Sequence, residues 1–133
     1  MEHVVYIDAK VNELVKLLSG EKTMIVRGAT GRKLPYGRVA NEDILYFINN
    51  DAEGRVRAKA SAKSVFNSEK MSKEESTELV EINQDKLQLT AKQFKRWAGK
   101  RYIVLIEIGD VEELRLFQFL NSSRFVVYSV PQV

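Results

Sequence analysis

At GEKTMIVR (residues 20–27) a helical pattern gives way to a strand pattern. The apolar residues before it have the i, i+3, i+4, i+7 spacing of one helix face, which predicts a helix from Ala9 that buries Val11, Leu14, Val15 and Leu18. Gly20 predicts the end of that helix, because glycine adopts the left-handed backbone conformation at little cost. Thr23–Arg27 has strand character, and the glycine- and proline-containing segment Gly28–Gly37 predicts a loop.

Further strands are predicted on both sides of this junction. They are Val4–Ile7, Ile44–Ile48, Arg55–Val65, Tyr102–Ile108 and Phe125–Val130. The turn-forming residues Asn49–Gly54 favour a hairpin, and Tyr102–Ile108 is apolar enough to be buried on both faces. Capping boxes at Ser72–Glu75 and Thr90–Gln93 predict the starts of two helices. This order predicts an α+β domain in which helices flank a curved sheet or small barrel.

The composition restricts the chemistry. The 133 residues suffice for one domain with its own core, and they include no cysteine and a single histidine, His3. Disulfides, thiolate metal sites and Ser-His-Asp or Cys-His catalysis are thereby excluded, and no metal or cofactor is expected. No apolar run approaches the roughly 18 residues of a membrane span, and the first residues do not resemble a signal peptide. A cytoplasmic protein without a membrane partner is expected, and nothing in the sequence indicates its oligomeric state.

Positive charge is concentrated after the helix-to-strand junction. Residues 22–41 contain five basic side chains and no acidic one, although the net charge of the chain is only +3. Arg32, Lys33 and Arg38 lie in the predicted loop together with Tyr36, an aromatic residue suited to stacking on a base. Backbone amides of a glycine-rich loop and neighbouring cations suit a phosphate-bearing partner. The alternative is an ordinary solvated loop whose Tyr36 packs onto the sheet.

Two further basic clusters each allow two interpretations. In Arg55–Val65, the side chains of Arg57, Lys59 and Lys63 share one strand face, which suits the phosphates of an extended nucleic-acid strand. Lysines on a strand equally protect a sheet edge against unwanted pairing. The second cluster surrounds Trp97 and comprises Lys92, Lys95, Arg96, Lys100 and Arg101. The spacing of Phe94 and Trp97 predicts that both form the core face of a short helix, with the cations as a rim.

The segment at residues 20–27 resembles the G-x-K-T-x-E-x-R signature of ASCH domains, which belong to the PUA-like superfamily together with EVE domains. The matching residues are Gly20, Lys22, Thr23 and Arg27, whereas Ile25 replaces the glutamate. The strand Asp43-Ile44-Leu45-Tyr46 is similar to the G-D-x-L strand of these domains. The resemblance spans most of the chain and implies a single PUA-like, ASCH-type domain over residues 1–133, on an archaeal-type branch. The implied fold is a pseudo-barrel with a cleft beneath the signature strand.

For function, the resemblance implies binding of RNA or a nucleotide in that cleft. Lys22, Thr23 and Arg27 would lie beside the ligand, and the loop from Arg32 to Arg38, with Lys33 and Tyr36, would form the mouth. Arg57 and Lys59 would extend the basic surface. Alternation along the strand predicts that Thr23, Ile25 and Arg27 face the cleft while Met24 and Val26 face away from it.

Two other functions remain open. The resemblance also includes ASCH domains that hydrolyse acylated cytidine with the motif lysine, here Lys22, and others described as ribonucleases. Ile25 stands where the hydrolases keep a polar side chain, so binding is expected rather than catalysis. The third function is a protein-interaction module whose basic loop meets an acidic partner.

Overall fold

A computed structural model of the chain describes residues 1–33 and 35–114. Within them lie five strands: β1 (Glu2–Ile7), β2 (Met24–Ala29), β3 (Ile44–Asn49), β4 (Val56–Asn67) and β5 (Tyr102–Glu113). The helices of the same part of the chain are α1 (Glu13–Ser19), α2 (Lys73–Ile82), α3 (Gln84–Leu87) and α4 (Ala91–Trp97). The strand predicted at Phe125–Val130 lies outside the described residues.

The strands form one curved, mixed sheet in the order β1-β3-β4-β5-β2. β1 pairs with β3 in parallel, and the other three neighbouring pairs are antiparallel, including the predicted hairpin of β3 and β4. β1 and β2 are the edges of this half-barrel. The α+β prediction of a curved sheet with flanking helices is confirmed.

The sheet is covered on both faces. One face, which we call the barrel core, buries Val5, Ile7, Leu45, Phe47, Val104 and Ile106 and is closed by Leu17 of α1. The other face, which we call the helix core, buries Met24, Val26, Ile103 and Leu105 against Val80, Leu87 and Leu89 of the α2–α4 region. Successive residues of β5 therefore alternate between two cores, which confirms that this strand is buried on both faces.

Helix α1 differs from its predicted form. It begins at Glu13 rather than Ala9, because residues 8–12 form a turn in which Asn12 has a left-handed backbone (φ 54°) and the Glu13 carboxylate accepts the Asp8 amide. Leu17 is fully buried, and Leu14 and Leu18 of the predicted face pack against the barrel core, whereas Val15 is 60% exposed. The predicted apolar face is therefore confirmed at Leu14 and Leu18 and wrong at Val15. The predicted stop at Gly20 is confirmed by its φ of 82°.

The other local signals hold, with adjusted bounds. Both capping boxes are present, with Ser72 paired to Glu75 and Thr90 paired to Gln93. Gly28 and Ala29 belong to β2 rather than to the loop that follows. The short helix α3 was not predicted, because four residues are too few to show a helical period.

Candidate functional site

A cavity of about 800 Å³ lies between the ends of β1 and β3, the start of α1, strand β2 and helix α4. Its lining combines cations, aromatic rings and a few acidic or amide side chains: Tyr6, Ile7, Asp8, Glu13, Lys22, Val26, Arg27, Asn50, Leu89, Lys92, Gln93, Lys95, Arg96 and Trp97. A volume of this size is typical of small-molecule sites. Two residues of the predicted site, Lys22 and Arg27, lie in its wall.

Helix α4 supplies three of the cavity's cations. Lys92, Lys95 and Arg96 have the i, i+3, i+4 spacing that places side chains on one helix face, and all three are exposed and line the cavity. Phe94 and Trp97 pack against the helix core, as predicted. Among the described residues, the three cations take part in no ion pair. The helix therefore presents uncompensated positive charge to the cavity.

Two guanidinium groups lie over the ring of Trp97. The Cζ atom of Arg96 is 4.5 Å from the indole ring centroid, and that of Arg27 is 5.5 Å from it. The indole is half-buried, so it contributes to the helix core with one part of its surface and lines the cavity with another. Its cation–π contacts hold the two positive groups close together.

Arg27 joins the two edge strands of the sheet. Its Nη1 donates to the Val26 carbonyl at 2.7 Å and its Nη2 donates to the Tyr6 carbonyl of β1 at 2.6 Å. Burial lowers the pKa of Arg27, the nearby Arg96 lowers it further, and Glu13 opposes both. The guanidinium thus lines the cavity while two of its donors are used by the protein itself.

Lys22 is held inside the cavity wall. It is only 1% exposed, and its Nζ donates to the Leu87 carbonyl and lies 3.4 Å from the Oε2 of Glu13. Burial lowers the pKa of Lys22, the Glu13 carboxylate opposes this, and Arg27 adds to the lowering. Lys22 therefore connects β2, α1 and α3 through its ammonium group.

The face of β2 towards the cavity differs from the prediction. Val26 lines the cavity, whereas Ile25 is buried in the barrel core. Arg27 reaches the cavity because its side chain folds back over the edge of the strand to the Val26 carbonyl. Thr23 is absent from the lining, and its backbone bonds to Lys86 and Ile108.

The basic loop lies on the other side of Arg27 from the cavity. Tyr36 packs edge-on against Tyr102 of β5, with 5.6 Å between ring centroids, and its hydroxyl donates to the Ser68 carbonyl at 2.7 Å. Arg32 lies over both rings, while Lys33 and Arg38 are exposed. No described residue of this loop lines the cavity, so the expected mouth is not formed by it.

The basic face of β4 is neutralised. Arg57 pairs with Glu53 at 2.9 Å, and Lys59 lies 3.8 Å from Glu112. Lys63 pairs with Asp110 at 2.6 Å. Because β4 lies between β3 and β5, the interpretation that these cations protect a sheet edge is wrong. None of the three lines the cavity.

Comparison with solved structures places this geometry in a known fold. The crystal structure of ASCH from Zymomonas mobilis superposes with a TM-score of 0.63 over 90% of this chain and 77% of that chain, at 15% sequence identity. The chain has the fold of an ASCH domain. A tyrosine-to-phenylalanine and a serine-to-alanine variant of that protein superpose equally well. No family model and no curated protein matches the sequence.

A second solved structure is also similar to this chain. The hypothetical protein PH0355 superposes with a TM-score of 0.50 and 15% identity, covering 86% of this chain and all of that one. The superposition on the Zymomonas mobilis ASCH structures confirms the predicted ASCH-type, PUA-like fold. In the described ranges, no helix is long and apolar enough to cross a membrane.

Sequence reasoning missed part of this cavity. Asp8 and Asn50 follow the parallel strands β1 and β3, whose last residues Ile7 and Asn49 are paired. Their signal was their position directly after two strands, but Asn50 was interpreted only as part of a hairpin turn. Glu13 was missed because a glutamate near a helix start is ordinarily solvated, whereas here it is 6% exposed.

Proposed function

We propose that the cavity binds RNA through one of its nucleotides, or a free nucleotide. The observation that carries this proposal is the row of cations on α4, which line the cavity and take part in no ion pair among the described residues. Phosphate neutralisation by such side chains releases condensed counterions and supplies much of the affinity for nucleic acids.

The contrast between two cationic surfaces supports this assignment. On β4, each of Arg57, Lys59 and Lys63 already has a carboxylate partner, so a phosphate would have to displace it. On α4, Lys92 and Lys95 gain a phosphate without losing an ion pair in the described structure. The ASCH-type fold adds the expectation, drawn from the sequence resemblance, that the ligand is RNA or a nucleoside.

Beside these cations, the cavity offers groups that suit a base or ribose. Asn50 uses its Oδ1 to accept the Ala9 amide, and Asp8 uses its Oδ1 to accept the Lys10 amide. Within residues 1–33 and 35–114, the Nδ2 donor of Asn50 and the Oδ2 acceptor of Asp8 have no hydrogen-bond partner, and both lie at adjacent strand ends. A donor beside an acceptor matches the edges of nucleobases and ribose hydroxyls.

Fluorescence of Trp97 provides a direct assay, because it is the only tryptophan in the chain. Short single-stranded RNA and uridine monophosphate would be titrated into wild type, the cavity variant Lys92→Gln/Lys95→Gln and the control Lys59→Gln/Lys63→Gln. Both variants lose two positive charges. For RNA, we expect the cavity variant to lose about tenfold in affinity and about 1.4 in the slope of log K against log salt, at about 0.7 per phosphate contact.

The control is expected to bind within about twofold of wild type, since its lysines are paired with carboxylates. Absence of binding by wild type at low salt would refute the proposal. An equal loss of affinity in both variants would show that the RNA responds to the overall surface charge and not to the cavity.

A further inference from the structure

We propose that the cavity is one end of a longer site, and that single-stranded RNA leaves it across Arg27 and continues over the basic loop. This inference rests on the proposed function and adds the path and the strandedness of the ligand. A second, much smaller depression of about 10 Å³, which we call the loop groove, lies beyond Arg27 and is lined by the end of β2 together with Lys33, Tyr36 and Tyr102. Arg27 lines both the cavity and the loop groove.

Stacked cations and aromatic rings flank this junction on both sides. On the cavity side, Arg96 and Arg27 both lie over the Trp97 ring. On the loop side, the Cζ atom of Arg32 is 5.6 Å from the Tyr36 centroid and 5.5 Å from the Tyr102 centroid. Tyr102 is paired with Ala29, only two residues along β2 from Arg27. Planar guanidinium and aromatic groups in a basic groove are the usual surface for unpaired bases.

Gly28 lies next to Arg27 in the lining of the loop groove. A Cβ atom on Gly28 would lie 2.8 Å from the Ile103 Cδ1 and 3.1 Å from the Lys100 Cβ, so these two side chains already fill the space beside its backbone. Glycine therefore allows the stem of Lys100 to lie against β2. The extended part of this path, from Val26 to the end of β2 at Ala29, is about 10 Å long at the rise of an extended strand.

The charges along this path favour an anionic polymer. Lys33 and Arg38 are exposed, and neither they nor Arg32 take part in an ion pair within the described ranges. No carboxylate lines the loop groove. A base entering the cavity must leave its stack, which a single strand permits and a duplex resists.

The experiment compares a ligand that fills only the cavity with one that spans both sites. Uridine monophosphate, hexauridylate and a matched RNA duplex would be titrated into wild type, the cavity variant Lys92→Gln/Lys95→Gln and the loop variant Arg32→Gln/Lys33→Gln/Arg38→Gln. Thermal unfolding would check that each variant is folded. We expect wild type to prefer hexauridylate to both other ligands. The loop variant should keep its affinity for the mononucleotide within about twofold and lose about tenfold or more for hexauridylate.

The outcomes separate this inference from the proposed function. If the cavity variant weakens both single-stranded ligands and the loop variant weakens neither, the cavity is the whole site and the extended path is wrong. Equal affinity of wild type for duplex and hexauridylate would overturn the single-strand assignment. If wild type binds none of the ligands, the proposed function itself fails.

Discussion

Replacement of Glu13 by glutamine tests the buried ion pair in the cavity wall. The Glu13 side chain is 8% exposed, and its carboxylate lies 3.4 Å from the ammonium group of Lys22, whose side chain is 1% exposed. Glutamine keeps an oxygen that can accept the Asp8 amide, so the substitution removes charge and little else. Loss of one partner of a buried pair costs about 3–5 kcal/mol. Because Lys22 keeps the Leu87 carbonyl, we expect the lower end, about 3 kcal/mol.

Urea unfolding at neutral pH would measure the free energy of unfolding of Glu13→Gln, Lys22→Met and the double variant. We expect each single variant to lose about 3 kcal/mol, and the double variant to recover most of this loss because no unpaired charge remains buried. The matched control is Glu107→Gln, which breaks the exposed Lys86–Glu107 pair at 3.2 Å. It should cost less than about 1 kcal/mol.

The pH dependence gives a second readout for the same pair. Burial lowers the pKa of Lys22, so the unfolded chain binds more protons than the folded chain between the folded pKa and the ordinary value of 10.5. Wild-type stability should therefore gain a contribution from this group as the pH rises through that window, and Lys22→Met should lack it. Additive losses in the double variant, with no coupling, would refute the interpretation of Glu13 and Lys22 as a buried pair.

Three other substitutions test the rest of the site. Arg27→Leu and Met24→Ala should each lower the free energy of unfolding by about 3 kcal/mol. The first variant loses two charged hydrogen bonds, and the second leaves a cavity in the core. Only Arg27→Leu should weaken nucleotide binding, measured by Trp97 fluorescence. If the two variants bind the nucleotide with equal affinity, Arg27 has a structural role and does not contact the ligand. Burial alone would raise the pKa of Asp43, but hydrogen bonds from the Ala40 amide, the His3 ring and the terminal amino group lower it from 3.8 to about 2. Wild type should therefore lose about 2 kcal/mol as the pH falls from about 4 to about 2, and an unfolding series in acid should show no such loss in Asp43→Asn. Acylated cytidine incubated with the wild type should remain intact, as measured by chromatography, because the Lys22 amine is buried and hydrogen-bonded. Hydrolysis by the wild type that Lys22→Met abolishes would instead support the alternative function as a hydrolase.

Local signals in the sequence predicted the framework of this fold well. The stop at Gly20 and the two capping boxes depend on residues within one turn of each other, so neighbouring side chains suffice to specify them. The alternation of β5 between two cores follows from its continuous apolar run, which no single-sided strand requires. The core role of Trp97 followed from its spacing to Phe94.

The arrangement of the cavity could not be predicted in the same way, because its contacts join residues far apart in sequence. The Arg27 guanidinium bonds to the carbonyl of Tyr6, and a backbone carbonyl carries no sequence signature. The start of α1 depended on a turn at Asn12, and the helix that follows buries Leu17 and leaves Val15 exposed. The clustering of positive charge in the sequence favoured the loop as the binding surface. The lack of carboxylate partners for the cations of α4 is a property of the folded structure.

The contact between Arg27 and Tyr6 has a consequence for the motion of the sheet. Neighbouring strands elsewhere are joined by ladders of backbone hydrogen bonds, whereas in the described part of the chain the gap between β1 and β2 is bridged by one side chain. A guanidinium can swing away without breaking a ladder, so amide protons along this seam should exchange with solvent through local opening rather than global unfolding. An anion that draws Arg27 away from the Tyr6 carbonyl would weaken the contact between β1 and β2. Conversely, the Arg27–Tyr6 hydrogen bond would lower the affinity for that anion by the same free energy. Occupancy of the cavity and closure of the half-barrel are thus linked through a single side chain.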